Sequence, residues 1–310
     1  MKSTAPAKAE RTSDEKDMAQ PASNPYDAPP LRGLGSVQGT LRVFVALQCW
    51  GFAAAHLHLG AQSAIARVLS TEFFLSSSDT STFDLIAAGL LTAGGVTCLI
   101  RPNWPVLSGL FFSQVLFVGA KIWLGEGGHP ALVLMRNAIP IVSPVLLCFA
   151  DFWPSPPKFS LGFWMAVATL ARLAICAGFI GHGLDGLIQS QYGGDLVTAS
   201  QGVLNQFAPG RYEIRQARVA LEVVAALQIG IGVALLCSRS RPAAALGAVL
   251  GLLVAGCYAM GLGMAGYPRA LIHMAMGGLP AALWLFWVQA TTEGELRYIP
   301  ETQPMHSRRR

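Results

Sequence analysis

Charged residues are scarce in this chain. Of its 310 residues only 13% are Asp, Glu, Lys or Arg, whereas 53% are hydrophobic and the mean hydropathy is +0.46. Soluble domains carry about 25% charged residues. The composition therefore excludes an ordinary soluble domain, and apolar runs of about 20 residues are interpreted as transmembrane helices.

The signatures of soluble enzymes are missing as well. The sequence has no Walker lysine, no G-x-G-x-x-G after a strand and no zinc-finger spacing of cysteines. Its six cysteines fall within apolar runs and form no C-x-x-C pair, which indicates buried apolar thiols rather than a disulfide framework or a redox centre. The net charge of +5 comes mainly from the tails and short loops, where it determines topology. We expect the lipid bilayer as a partner and no nucleic acid.

Eight apolar runs are long enough to be membrane spans, although the second is short. They lie at Leu41–Ala61, Phe83–Ile100, Val106–Leu124, Ala131–Ala150, Leu161–Ile180, Val219–Cys237, Ala243–Met264 and Ala270–Gln289. Prolines at 140, 144 and 280 predict kinks in the fourth and eighth spans.

The apolar part of the chain contains an internal repeat in two copies. In the first span of each copy the offset is 127: C-W-G-F at Cys49–Phe52 recurs as C-A-G-F at Cys176–Phe179. After one loop insertion the offset is 137 or 138: Gly95, Val96 and Pro105 recur as Gly232, Val233 and Pro242, and Leu124, Gly125, Gly128 and Pro130 recur as Leu262, Gly263, Gly266 and Pro268. Internal repeats of this kind define the architecture. Four spans per copy is an even number, so both copies enter the membrane in the same direction. The sequence predicts an all-α integral membrane fold of eight helices in two parallel, tandem four-helix bundles.

This repeat divides the chain into four parts. We predict a disordered cytoplasmic tail at 1–38, a first membrane repeat at 39–153, a second at 154–290 and a cytoplasmic tail at 291–310. The first forty residues lack the apolar core of a signal peptide. Lys and Arg concentrate in both tails and in the connections on their side of the membrane, so both termini are expected in the cytoplasm of a plasma (inner) membrane.

The polar residues within the predicted spans lie near the membrane surface opposite the two tails. The candidate ligand-binding residues of this outer-leaflet pocket are His56, His58, Arg136, His182, Glu222 and His273. A charge at bilayer depth costs roughly 2.5–3.5 kcal/mol, which favours side chains that face a polar cavity. The alternative is that several of them simply lie at the membrane interface, where such side chains are tolerated.

The histidines allow several chemistries. His56 and His58 are two residues apart, about 200° around a helix, so they cannot both face one metal, and no metal site is predicted. His56, His182 and His273 lie at matching depth on different helices. This leaves open a bis-histidine haem, hydrogen bonding to a quinone and purely structural roles.

The fifth span carries a family resemblance. From Arg172 to Leu187 it reads R-x6-F-x3-G-L-x2-L, and the first span repeats part of the pattern with Phe52 and Leu57, His56 standing at the glycine position. This resembles the opening helix of the DoxX-like family of four-helix membrane proteins, in which a polar residue stands at the position of Gly186. Some members of the wider family are similar to subunits of membrane redox systems that act on sulfur compounds and quinones, and most have no assigned function; the resemblance implies a role of the former kind.

We therefore expect an accessory membrane subunit linked to redox or quinone chemistry. One alternative is a small parallel-repeat transporter or channel with its path between the repeats, and another is a membrane scaffold or assembly factor whose tails bind partners. The sequence leaves open whether the chain is an enzyme.

Overall fold

The computed structural model describes residues 34–58, 62–151, 161–210 and 212–298, with the side chains of these residues except 58, 161–162 and 290–298. Within these ranges the chain is helical, without strands. The helices are α1 (Leu34–His58), α2 (Ala64–Glu72), α3 (Ser77–Ile100), α4 (Trp104–Trp123), α5 (Pro130–Arg136), α6 (Ala138–Ala150), α7 (Leu161–Tyr192), α8 (Asp195–Phe207), α9 (Ile214–Cys237), α10 (Arg241–Leu262) and α11 (Tyr267–Tyr298), with a 3-10 turn at Gly263–Gly266.

Six stretches of the described chain are long and apolar enough to cross a membrane. The bent pair of α5 and α6 is a candidate seventh. The last stretch, Arg241–Gln289, contains α10 and α11, which pack antiparallel, since Tyr258 stacks on His273. This is the make-up of a polytopic membrane protein. The count of eight spans and their grouping into two bundles stay predictions.

Long and short helices follow one another in the same order in the two halves of the described chain. Residues 34–150 form a long helix, a short one, two long ones and a bent pair; residues 161–298 form a long, a short and three long helices. The fourth helix of each half begins with the same pattern. Asn103 caps α4 two residues before Pro105, and Ser240 caps α10 two residues before Pro242. Each cap side chain accepts a backbone N–H, and proline needs no acceptor in the first turn.

The fourth predicted span is bent by 45° at Asn137, between α5 and α6. Pro140 explains the position of the bend. Its ring lacks an N–H and clashes with the carbonyl four residues earlier, at Arg136. The bend therefore ends α5 at Arg136, and it places that side chain beside α7 instead of along a straight span.

Glycines set the close helix crossings. A Cβ on Gly51 of α1 would lie 2.7 Å from the backbone nitrogen of Ile272 on α11, and one on Gly183 of α7 would lie 2.7 Å from the carbonyl oxygen of Ala225 on α9. Small residues at such crossings let helix backbones approach in lipid, where packing drives association. α1 is thereby fixed against α11.

One end of the bundle is closed by polar contacts, and we call it the opposite end. There Arg42 of α1 pairs with Asp151 after α6, and the Gln289 amide donates to Ser36 Oγ at 2.6 Å. Between this end and the middle of the bundle lies the apolar core, in which Val45 and Leu147 are almost fully buried.

The ends of the chain differ from the predicted tails. α1 begins at Leu34, within the segment predicted as the tail 1–38, and α11 continues to Tyr298, within the segment predicted as the tail 291–310. Residues 1–33 and 299–310 lie outside the described residues. The disorder predicted for the N-terminal tail concerns residues that are mostly among these.

Candidate functional site

The other end of the bundle, which we call the cavity end, holds a polar cavity of about 460 Å³. It lies between the C-terminal ends of α1, α4, α7 and α10 and the N-terminal end of α11, with α2, α5 and α8 at its edge. Its polar lining comprises His56, Gln62, Ser63, Arg67, Lys121, Arg136, Asn137, His182, Asp185, Gln189, Asp195, Tyr258, Arg269 and His273. Residues of both halves of the chain therefore build one site.

Ion pairs connect the helices around this cavity. Arg136 of α5 and Asp185 of α7 lie 2.7 Å apart and are mostly buried. Arg67 of α2 pairs with Glu126, which follows α4; its Nη2 donates to Glu126 Oε2 at 2.8 Å. A third pair, Arg269 and Asp195, is more exposed, and solvent weakens such a pair. Arg136 and Asp185 are thus the best shielded of the three arginine–carboxylate pairs.

Lys121 is the cation of the cavity without a carboxylate partner among the described residues. Its ammonium lies over the ring of Phe117, 4.4 Å from the centroid, a cation–π contact. Gln114, Phe117 and Lys121 follow at helical spacing on one face of α4. This face leads from the polar cavity towards the middle of the bundle.

A buried histidine–carboxylate pair stands in the wall formed by α1 and α3. His56 Nδ1 lies 2.9 Å from Asp84 Oδ1, and the other carboxylate oxygen accepts the backbone N–H of Ser63 at 3.0 Å. Asp84 is buried. A carboxylate that holds Nδ1–H fixes the tautomer of the ring and leaves Nε2 as an acceptor. His56 is therefore oriented as a proton acceptor at the cavity wall.

Aromatic and sulfur side chains line the facing wall. The rings of His182 (α7) and His273 (α11) lie 4.9 Å apart at 73°, and Tyr258 of α10 stacks on His273 with centroids 4.5 Å apart. His273 Nδ1 also contacts the sulfur of Met276 at 3.2 Å. Three helices of the second half thus hold two imidazoles and a thioether together.

An apolar groove of about 470 Å³ adjoins the polar cavity. It runs between α3 and α4, and its lining shares Phe52, His56 and Phe117 with that of the polar cavity. Gln114 also lines it and is buried, and its amide oxygen has no hydrogen-bond partner within the described part of the chain. The two cavities together have the shape and polarity to bind an amphiphilic ligand. Its polar part would lie at His56, and its apolar chain would lie along the groove.

The predicted site residues do not all meet. His56, Arg136, His182 and His273 line the polar cavity. Glu222 lies at the same end of the bundle but on the exposed side of α9, outside this lining. His58 ends α1, and its side chain is outside the described residues.

Sequence reasoning missed several residues of the wall: Arg67, Asp84, Asp195, Tyr258, Arg269 and Met276. The sequence did contain a signal for Asp84, because a carboxylate inside an apolar span needs a polar partner. Met276 carried none, because a methionine in an apolar helix is typical of a core.

Comparison of the chain with protein-family models, with curated proteins and with solved structures finds no match.

Proposed function

We propose that this polytopic membrane protein is a DoxX-like accessory subunit of a membrane redox system and that it binds a quinone. The quinone ring occupies the polar cavity beside His56, and its isoprenoid chain lies in the groove between α3 and α4. The observation that carries the proposal is the position of the His56–Asp84 pair, at the junction of the polar cavity and the apolar groove. An amphiphile with a redox-active polar ring fits both halves of this site.

The pair supplies acid–base chemistry for the reduced quinone. Oxidation of a bound quinol to the quinone would release two protons and two electrons. His56 Nε2 would accept the protons in turn and pass them to water in the polar cavity, while Asp84 would stabilise the imidazolium. Both electrons would pass to an electron acceptor on a partner redox subunit, so this chain would bind and deprotonate the quinol without storing electrons itself. The charge of Lys121 favours the ring oxygen as it loses its proton.

Gln114 supports the same ligand from within the groove. Leaving a buried polar atom unpaired costs about 1–3 kcal/mol, and the amide oxygen of Gln114 has no partner among the described residues. With the ring at the junction of cavity and groove, its second hydroxyl, on the side of the groove, would satisfy this oxygen. The distribution of Lys and Arg, which assigns the tails to the cytoplasm, would place the whole site in the outer leaflet.

The packing beneath the cavity favours a binding subunit over a transporter. Val45, Leu147 and Leu279 are at most 2% exposed in the half of the bundle towards the opposite end. Transport sites of parallel-repeat proteins lie near the middle of the membrane, between the repeats. Here the ionisable side chains of the cavity gather at one end, and tightly packed aliphatic side chains lie below them.

Quinone binding can be tested directly on protein purified in a mild detergent. Solvent extraction followed by chromatography should release a quinone, and the extracted protein should bind a short-chain ubiquinone. We expect His56→Ala to weaken this binding by roughly tenfold, since one hydrogen bond of about 1.5 kcal/mol is lost. Glu222→Gln, at the same end but outside the cavity, is the control and should bind normally. Absence of quinone together with equal, weak binding by all three proteins would refute the proposal.

A further inference from the structure

Two metal-ligating atoms of α11 lie on one face of the helix, in the wall of the cavity. His273 and Met276 are three residues apart, so their side chains are neighbours on the helix surface. Nδ1 of His273 lies 3.2 Å from the sulfur of Met276. Metal–nitrogen bonds of about 2.0 Å and metal–sulfur bonds of about 2.3 Å, the values known for zinc, bring these atoms to one ion at an angle of roughly 95°.

A third ligand comes from another helix. The ring of His182 on α7 stands nearly perpendicular to that of His273, with centroids 4.9 Å apart. Tyr258 covers one face of His273 in a parallel stack, which fixes the orientation of this ring. Two imidazoles and one thioether, from α7 and α11, thus lie side by side in the cavity wall.

We propose that His182, His273 and Met276 bind one monovalent copper ion. Thioether sulfur is a soft ligand that selects copper(I), and imidazole serves copper equally well. Among the described residues, groups of three or more His, Cys, Asp and Glu with metal-site geometry are absent, so the thioether decides which metal fits. The sequence alone predicted no metal here.

The surrounding charges favour a single positive charge over a double one. Arg136 and Arg269 approach the same cavity but are neutralised by Asp185 and Asp195. Lys121 has no such partner, and its repulsion grows with the charge of the ion. Copper(I) with three neutral ligands adds one charge, whereas zinc or copper(II) would add two.

Copper(I) binding can be measured on the detergent-purified, quinone-extracted protein. Under anaerobic, reducing conditions, competition with a chromophoric copper(I) chelator should give one ion per chain, and X-ray absorption should show nitrogen and sulfur ligands. Loss of a ligand should weaken binding by roughly 100-fold, since even outer-shell changes cost about 10–100-fold. We expect this loss in His182→Ala, His273→Ala and Met276→Leu.

Two controls keep the outcome clear. Met260→Leu replaces a half-exposed methionine of α10 and should leave copper binding unchanged. Met276→Leu conserves side-chain volume, so a folded variant that binds copper normally would overturn the proposal, as would a wild-type protein that loses every ion to the chelator. The proposal is independent of the quinone, because His56→Ala should leave copper binding intact.

Discussion

Asp84 is the residue whose position is hardest to explain without a function or a partner. It lies on α3, where the residues that follow it, Leu85 and Ile86, are apolar and exposed. A charged side chain at bilayer depth costs roughly 2.5–3.5 kcal/mol. Hydrogen bonds from His56 and from the backbone of Ser63 offset part of this cost. The pair also connects α1, α3 and the start of α2, so it supports the cavity wall whatever ligand binds there.

We predict that Asp84→Ala destabilises the protein by about 1–3 kcal/mol, because two buried donors lose their acceptor. Asp84→Asn retains an acceptor and should lie between this variant and the wild type. Thermal unfolding in detergent measures both. Asp79→Ala, on the exposed first turn of the same helix, should cost less than about 1 kcal/mol. Equal stability of all four proteins would show that the buried pair contributes nothing.

At the scale of single residues, only part of the site could be predicted from the sequence. Depth along each span predicted that His56, Arg136, His182 and His273 lie at one end, and all four line the polar cavity; their role in ligand binding stays a prediction. Depth does not reveal which side of a helix faces the bundle, and Glu222 lies on the exposed side of α9. Arg67 could not be found in this way, because it belongs to a short helix inside a segment interpreted as a loop.

At the scale of elements, long apolar runs were the reliable signal. Each of the eight predicted spans contains a helix or, at Pro140, a bent pair. The helices extend beyond the apolar runs because capping residues such as Ser76 lie outside them. The short helices α2 and α8 were not predicted, since nine and thirteen residues rich in polar side chains give no apolar run. These two helices provide Arg67 and Asp195, at the edge of the site.

Close helix packing gives a second prediction. A Cβ on Gly251 of α10 would lie 2.5 Å from the backbone nitrogen of Gly277 on α11, whereas one on Gly256 of the same helix meets nothing within 4 Å. Gly251→Ala should therefore force the helices apart and cost about 1–3 kcal/mol. Gly256→Ala should be neutral or stabilising by up to about 1 kcal/mol, through helix propensity.

Thermal unfolding of the two alanine variants in the same detergent provides the test. Because the substitutions are chemically identical and lie on one helix, a difference between them reports the crossing of α10 and α11. If both variants unfold at the same temperature, the close approach at Gly251 is not what holds this helix pair together.

At the scale of the whole molecule, the two halves are joined by their first and last helices. α1 packs on α11 at Gly51, and α7 packs on the bent pair at Gly181, where a Cβ would lie 2.7 Å from the backbone nitrogen of Arg136. Each half therefore completes the other. The polar cavity lies where these contacts end, which explains why residues of both halves line it. The chemistry is not repeated, since Gly183 stands where the first half has His56.

The basic residues predict the direction of the molecule in the membrane. At the opposite end, Arg239 lies in the connection between α9 and α10, and the cytoplasmic tails were predicted on the same side. At the cavity end, Arg67, Arg136 and Arg269 are paired with carboxylates. We therefore expect the cavity to face away from the cytoplasm. A quinone or a copper ion would then reach the site from the outer side of the membrane.

Cysteine labelling in intact cells tests this orientation. Ser78 is exposed at the cavity end, and Ser238 is exposed at the opposite end, beside the exposed native Cys237. In a Cys237→Ser background we expect a membrane-impermeant maleimide to label Ser78→Cys without permeabilisation and Ser238→Cys only after it. Cys49, Cys98 and Cys176 are buried and Cys148 and Cys257 are partly exposed, so the background protein alone provides the labelling that is subtracted from both variants. The reverse pattern would place the cavity in the cytoplasmic leaflet, and the positive charges would then no longer indicate the direction of the chain.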